Sequence, residues 1–231
     1  YFSIKNLKKK LMKTLVISPH PDDEILGPGG TLLKRKAKKE NKTYWLIFTN
    51  LDKKFSSKKR INERNSEIKK ISKIFKFSKV IMFNYPTANL DKIPRKELVE
   101  KLSKVLNTVR PDEMLVPHKS DVHSDHKIVS SIIDTCTKNF RSPFIKSVLA
   151  YETLSETNFN TSRKNAFFPN HYEDISKYLK LKINSLKIYK SEVKKFPFPR
   201  SLKTVKALAT LRGSEIGTKA AESFEVLKQI K

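Results

Sequence analysis

Short runs of apolar, β-branched residues alternate with longer amphipathic segments along most of this chain. The runs have the length of buried strands, and they occur at residues 14–18, 43–49, 80–83, 114–116 and 147–151. The segments between them repeat apolar residues at helical spacing, at residues 25–39, 57–75, 95–109 and 126–136. Such alternation is typical of a parallel sheet, because consecutive parallel strands need a crossover connection. The sequence therefore predicts an α/β fold, with a Rossmann-like, doubly wound, mostly parallel sheet and flanking helices.

The last third of the chain is less regular. Residues 152–175 are polar and rich in Asn, which predicts a long loop near the functional site. Helical patterns follow at 176–194 and 201–230, and the proline-rich FPFPR at 196–200 separates them. We therefore expect a helical C-terminal segment.

The chain has 231 residues and no segment with the composition of a linker, which predicts a single domain. The segment that begins at Met12 resembles a natural start, so we interpret residues 1–11 as an N-terminal extension and 12–231 as the domain. No stretch approaches the ~18–20 apolar residues of a membrane-spanning helix. We expect a cytoplasmic protein without a membrane span, and a homo-oligomer is left open.

The chain is strongly basic, with 49 Lys and Arg against 23 Asp and Glu. A net positive charge attracts polyanions. The lysines are nevertheless spread over nearly the whole sequence, which a general compositional bias explains equally well. We therefore expect no nucleic-acid partner, and a polyanion-binding protein with a relic site is the less favoured alternative. The single cysteine, Cys136, excludes an internal disulfide, and we expect it in the core.

Two short clusters concentrate the scarce acidic residues and histidines. The motif PHPDDE at 19–24 follows the first predicted strand, and SDVHSDH at 120–126 follows the fourth. In a sheet of order 3-2-1-4-5 these strands are neighbours where the strand order reverses. Ligand sites lie beyond the carboxyl ends of the strands at that point. The two clusters are therefore expected to face each other.

Imidazole and carboxylate groups together suit a divalent metal ion. His20 and Asp23 can reach one ion from one side, and His126, at the start of the next helix, can complete the set. Three protein ligands with an open position are typical of a catalytic zinc site. The sequence therefore predicts Zn²⁺ as the cofactor, and another divalent metal is left open because these ligands tolerate several.

The motif PHPDDE, followed by GPGGT and later by HSDH, resembles the zinc-dependent N-deacetylases of the PIG-L/LmbE type. The resemblance runs from Met12 over nearly the whole chain. It includes an Arg-x-x-Glu at Arg64 and Glu67, and it departs where such members usually have Pro in place of Ser124. It implies the same zinc ligands, with Asp22 as the general base. It further implies that His123 stabilises the oxyanion or protonates the amine.

Other residues receive roles from their position in the motifs. Asp125 is expected to orient a ligand histidine without itself binding the metal. Glu24 is expected to lie at a helix start and not to bind metal. Arg64 is the candidate for contact with a substrate hydroxyl or phosphate, and its alternative is a salt bridge to Glu67. Tyr151 and Glu152 are expected to line the substrate pocket. The remaining expectations are structural, namely close helix–sheet packing for Gly27, Gly29 and Gly30 and scaffold roles for His118 and His171.

The resemblance implies an enzyme that removes the acetyl group from an N-acetyl amino sugar similar to N-acetylglucosamine. That sugar could be free, nucleotide-linked or part of a glycan. A hydrolase of another N-acyl amide, such as a peptide or antibiotic intermediate, is the alternative within the same chemistry.

Overall fold

The computed structural model describes residues 11–38 and 41–230, so the proposed N-terminal extension lies almost entirely outside the described residues. Seven strands in this part of the chain form one mixed sheet: β1 (Met12–Ser18), β2 (Asn41–Asn50), β3 (Lys79–Pro86), β4 (Glu113–Pro117), β5 (Ser147–Tyr151), β6 (His171–Asp174) and β7 (Ala221–Gln229). Their order is β3-β2-β1-β4-β5-β7-β6. The first five are mutually parallel, and β7 runs antiparallel to both of its neighbours. The predicted α/β class and the 3-2-1-4-5 order are confirmed.

Helices cover both faces of the sheet: α1 (Asp23–Leu26), α2 (Gly29–Ala37), α3 (Lys58–Phe75), α4 (Arg95–Val109), α5 (Ser124–Cys136), α6 (Leu179–Leu186) and α7 (Leu202–Ser214). Successive strand residues point to opposite faces. Leu15 and Ile17 of β1 accordingly join one core with α4 and α5, whereas Val16 joins the other core with the remaining helices. Cys136 is buried in the first core, as predicted.

The predicted C-terminal helix over 201–230 is correct only in its first half. After α7 the chain forms β7, which pairs with β5 on one side and β6 on the other. Its sequence AESFEVLKQ is rich in residues that favour helices. Pairing on both edges and the complete burial of Phe224 outweigh that local preference. The preceding prediction was also too long, because the segment 176–194 is helical only in α6.

β7 also stabilises the start of α2. The two carboxylate oxygens of Glu222 accept hydrogen bonds from the backbone N–H groups of Gly30 and Thr31, each at 2.7 Å. Lys182 of α6 donates to the same carboxylate at 2.6 Å. A negative charge at a helix N-terminus is favourable, and the lysine offsets the cost of burying it.

Two further predicted segments differ from the structure. The expected helix over 25–39 is two helices, because Gly27 and Pro28 separate α1 from α2. The expected loop over 152–175 ends in the short edge strand β6. Within the described residues, no helix combines the length and the apolar character needed to cross a membrane.

Two of the three glycines after the first motif, Gly27 and Gly30, allow close packing as predicted, whereas Gly29 has room for a Cβ. A Cβ at Gly27 would lie 2.3 Å from the ring of Tyr151, and one at Gly30 would lie 2.7 Å from Ile175.

Replacing Gly27 with Ala should lower the free energy of unfolding by about 1–3 kcal/mol, because the Tyr151 ring must move to make room. A urea titration followed by circular dichroism measures the change.

Gly29→Ala is the matched control. A Cβ there would meet its nearest atom at 3.4 Å, which is ordinary contact, and alanine favours the helix. We expect this variant to be neutral or more stable. Equal losses in the two variants would contradict the packing explanation.

Candidate metal centre

The loops that follow β1 and β4 meet at one edge of the sheet, because these two strands are hydrogen-bonded neighbours. Three side chains from the two loops converge there. His126 Nε2 lies 3.3 Å from Asp23 Oδ2 and 3.2 Å from His20 Nδ1. His20 Nδ1 lies 3.7 Å from Asp23 Oδ2. His20, Asp23 and His126 therefore form a group of ligand atoms that could hold one metal ion.

The separations fit a tetrahedral ion of the size of Zn²⁺. Bonds of about 2.0–2.1 Å in tetrahedral geometry place two ligand atoms about 3.3 Å apart. The three observed separations span 3.2 to 3.7 Å. Two imidazoles and one carboxylate also leave a fourth position for water or substrate.

Buried carboxylates hold both histidines in the orientation that a metal requires. Asp125 Oδ2 accepts from His20 Nε2 at 3.0 Å, so the lone pair of Nδ1 faces the centre. Asp121 Oδ2 accepts from His126 Nδ1 at 2.7 Å, so Nε2 faces the centre. Such outer carboxylates fix the tautomer of a histidine ligand. Asp125 is completely buried and contacts the His20 nitrogen that does not face the other ligand atoms; its orienting role stays a prediction. No role was predicted for Asp121.

The charges around the ligands favour an ionised Asp23. Burial alone would raise the pKa of this carboxyl, but the charge and hydrogen bond of His126, with a further contribution from His20, lower it to about 2. A carboxylate that is ionised at neutral pH is the form that binds a cation.

Asp22 occupies an unusual backbone conformation beside the ligands. Its φ of 135° lies where residues other than glycine are rare, and such outliers cluster at functional sites. Glu24 holds this conformation, because its Oε2 accepts from the Asp22 N–H at 3.0 Å and its Oε1 from the Tyr189 hydroxyl at 2.9 Å. Burial and the neighbouring Asp23 raise the pKa of Asp22, whereas Arg200, whose Nη1 lies 3.1 Å from Asp22 Oδ2, opposes the rise.

His123 caps the N-terminus of α5 and faces the same cavity. Its Nδ1 accepts the backbone N–H of Asp125 at 3.1 Å, which leaves the proton on Nε2 in the neutral ring. Burial, followed by the charges of His20 and His126, lowers the pKa of His123 to about 4. The side chain is therefore a neutral hydrogen-bond donor at this position.

Arg64 is buried and bonded to protein groups on several sides. Its Nη1 donates to the Pro21 carbonyl at 2.8 Å, and its Nε lies 3.2 Å from Glu67 Oε2. A short hydrogen bond joins its Nη2 to Glu192. Arg64 thus supports the PHPDDE loop, and the salt bridge considered as its alternative role is present. Its proposed contact with substrate stays a prediction.

The side chains surround a cavity of about 160 Å³. All three candidate ligands line it, together with Asp22, His123 and Arg64. The prediction for Tyr151 and Glu152 was wrong. Tyr151 is buried, with its hydroxyl donating to the Ile17 carbonyl at 2.7 Å, and Glu152 pairs with Arg212 at 2.7 Å.

Sequence reasoning missed part of the cavity wall, namely Glu156, Glu192 and Arg200. Glu156 comes from the loop after β5, and the other two come from the chain between α6 and α7. Arg200 stands in the proline-rich FPFPR, for which the sequence indicates a helix break and no role for Arg200 itself. Asp121 could have been found, because it precedes His126 by five residues in the same cluster. The distant wall residues carry no local signal that would place them here.

Known proteins share this fold. The structure matches N,N'-diacetylchitobiose deacetylase from Pyrococcus horikoshii with a TM-score of 0.74 and 21% identity, over 98% of this chain and 88% of that one. A deacetylase of the teicoplanin biosynthesis pathway matches with a TM-score of 0.75 and 13% identity, over 94% and 99% of the two chains. GalB, the 4-carboxy-2-hydroxymuconate hydratase from Pseudomonas putida, matches with a TM-score of 0.74 and 14% identity, over 95% and 98%.

A family model gives a more specific result. The PIG-L model, described as GlcNAc-PI de-N-acetylase, matches residues 15–137, which is more than half of the chain. This span begins in β1 and ends just after α5, so it contains both loops of the metal centre. With the shared fold and the convergent His/Asp group, this match shows that the chain belongs to the PIG-L family.

Proposed function

We propose that this protein is a zinc-dependent N-deacetylase that hydrolyses the acetamido group of an N-acetyl amino sugar. The convergence of His20 Nδ1, Asp23 Oδ2 and His126 Nε2 within 3.7 Å of one another carries the proposal. Membership of the PIG-L family and the two deacetylases of the same fold support it. Held by these three residues, Zn²⁺ would polarise the amide carbonyl and acidify water.

Asp22 is the proposed general base. It is adjacent to the ligand Asp23, lines the cavity, and is held by Arg200 and by the Glu24 contact to its backbone. In this role Asp22 takes a proton from the water that adds to the acyl carbon. The C–N bond then breaks, the proton passes to the amine nitrogen, and acetate and the free amino sugar leave.

His123 is the proposed donor to the developing oxyanion. The hydrogen bond from Asp125 N–H to Nδ1 supports this choice over proton transfer to the amine, because it leaves a neutral ring with a fixed Nε2–H. A preorganised donor costs no reorganisation when charge develops on the carbonyl oxygen.

The polar wall of the cavity supports a sugar as substrate. Glu156, Glu192 and Arg200 line the cavity together with the candidate ligands, and Asn50 and Thr87 add further polar groups. Hydroxyl groups of a sugar can both donate to the carboxylates and accept from the guanidinium. Another N-acyl amide remains the alternative substrate class.

Acetate release from a panel of substrates tests the proposal. The panel contains free, nucleotide-linked and glycan-linked N-acetyl amino sugars and several N-acyl peptides, and the metal content of each enzyme preparation is measured in parallel. Acetate from the sugars alone supports the proposal, and release from the peptides alone would move the activity to the alternative substrate class. A protein that binds zinc and releases no acetate would overturn the deacetylase assignment and direct attention to hydration, the reaction in GalB's name.

Replacing Asp22 with Asn should lower kcat by about 100-fold or more while zinc stays bound, because the amide keeps the shape of the side chain but cannot accept the proton. Steady-state acetate release and elemental analysis give the two quantities. Asp91→Asn, at an exposed carboxylate outside the cavity, is the control. An unchanged rate in Asp22→Asn would remove this residue from the base role.

Replacing His126 with Ala should weaken zinc binding by more than about 100-fold, because it removes one of three ligands. Competition with a chromophoric chelator measures the affinity. His171→Ala is the control, since this half-exposed histidine does not line the cavity. Full zinc occupancy in the His126 variant would show that this ligand was assigned incorrectly.

Replacing Asp121 with Asn should weaken zinc binding by about 10–100-fold, because the histidine loses the carboxylate that fixes its tautomer. The same chelator competition measures this smaller effect. The Thr157 hydroxyl, which donates to Asp121 Oδ1 at 2.6 Å, can still donate to the amide oxygen. A zinc affinity equal to that of the unaltered protein would show that Asp121 does not orient His126.

A further inference from the structure

A groove of about 1100 Å³ runs along the outer side of the sheet, between α3 and β3. One wall is a single face of α3, which presents residues spaced as i, i+4, i+7 and i+11, namely Ile61, Asn65, Ile68 and Ser72. The other wall is a single face of β3, which presents Val80, Met82 and Asn84. β3 is the first strand in the order, so it has no further strand on its outer side in the described sheet. Ile68, Val80 and Met82, the apolar wall of the groove, are buried or half-buried against the second core, so each exposes only part of its side chain to the groove.

The groove adjoins the catalytic cavity. Asn50 and Leu51, at the carboxyl end of β2, line both. From Ile61 to Lys73 the α3 wall extends for about 18 Å at the helical rise per residue. A molecule whose sugar occupies the catalytic cavity can thus place a long attached group in the groove.

The groove is basic, in contrast to the catalytic cavity. Five lysines line it, namely Lys53, Lys54, Lys69, Lys73 and Lys79, and Asp52 is its one acidic residue. All five lysines are exposed, and within the described part of the chain none of them forms an ion pair. The catalytic cavity instead has four carboxylates, from Asp22, Asp23, Glu156 and Glu192. The positive charge in the groove is therefore available to an external anion.

The charge also decides between two kinds of occupant. An apolar sheet edge could pair with a second copy of the chain. A two-fold interface would bring the same lysines of both copies together, and like charges facing each other are unfavourable. An anionic molecule with an apolar or planar part can pair with the lysines and pack against the apolar wall.

We propose that the groove binds the nucleoside diphosphate part of a nucleotide-linked N-acetyl amino sugar. This inference rests on the proposed deacetylase function and specifies its substrate. The diphosphate lies beside Lys53 and Lys54, next to the junction at Asn50 and Leu51. The base and ribose pack farther along the apolar wall, and Lys69 adds charge there.

The first experiment measures binding without catalysis. Isothermal titration with uridine diphosphate is carried out on the full chain and on the variant Lys54→Glu/Lys69→Glu. Reversing two charges near the anionic diphosphate should raise the Kd about tenfold or more, and added salt should weaken binding to the unaltered protein. The control Lys104→Glu/Lys206→Glu changes the net charge equally at exposed positions on α4 and α7, and it should bind like the unaltered protein.

The second experiment compares turnover of UDP-N-acetylglucosamine with that of free N-acetylglucosamine. The ratio of their kcat/KM values should fall about tenfold or more in Lys54→Glu/Lys69→Glu, mainly through KM for the nucleotide-linked sugar. Equal ratios in this variant and the control would overturn the proposal. So would the absence of uridine diphosphate binding, or binding of farnesyl diphosphate alone, which would indicate a lipid-linked substrate. Acetate release from neither sugar would overturn UDP-N-acetylglucosamine as the substrate, and release from the glycan-linked sugars of the first panel would still support the deacetylase function. The titration reports on the groove in either case.

Discussion

The parallel pairing of β1 with β4 is the constraint on which the candidate site depends. The two strands are joined at three residue pairs, and the last of these is Val16 with Leu115. Both strands continue past this pair, and the loops that follow them fill the space at the point where the strand order reverses. Two clusters about 100 residues apart in the chain thereby reach one location. No local interaction within either cluster could produce this contact.

Two fully buried carboxylates, those of Asp121 and Asp125, orient the histidines that this strand pairing brings together. Asp125 accepts backbone N–H groups of Ala88 and Leu90 at 2.7 and 3.1 Å in addition to His20, and Asp121 accepts the Thr157 hydroxyl in addition to His126. Burying such groups is costly unless they are hydrogen-bonded, and these bonds offset the cost. They also tie the loops after β3 and β5 to the ligands. The orientation of the two histidines together thus depends on four separate parts of the chain, namely the loops after β1, β3, β4 and β5.

The centre and the edge of the sheet form two different chemical environments. The carboxyl ends of the central strands gather carboxylates and histidines, which suit a cation and a polar substrate. The edge strand β3 and the adjoining face of α3 instead gather lysines around an apolar wall. Asn50 and Leu51 connect the two because β2 lies between the central strand β1 and the edge strand β3. A substrate with a neutral sugar and an anionic carrier matches this division.

The sequence by itself determined the α/β class, because buried strands and amphipathic helices leave strong local periodicities, and it contains the two motifs. The order of five strands followed from the doubly wound fold that this class favours. The sequence also indicated His20, Asp23 and His126, since ligand types at the ends of neighbouring strands have few other uses. Only the tertiary structure decided that residues 221–229 form a strand, because pairing with β5 and β6 outweighs their helical preference. It alone brought Arg200, Glu156 and Glu192 to the cavity wall and moved Tyr151 and Glu152 away from it. Those positions depend on how distant segments pack, and packing between distant segments leaves no periodic signal in the residues themselves.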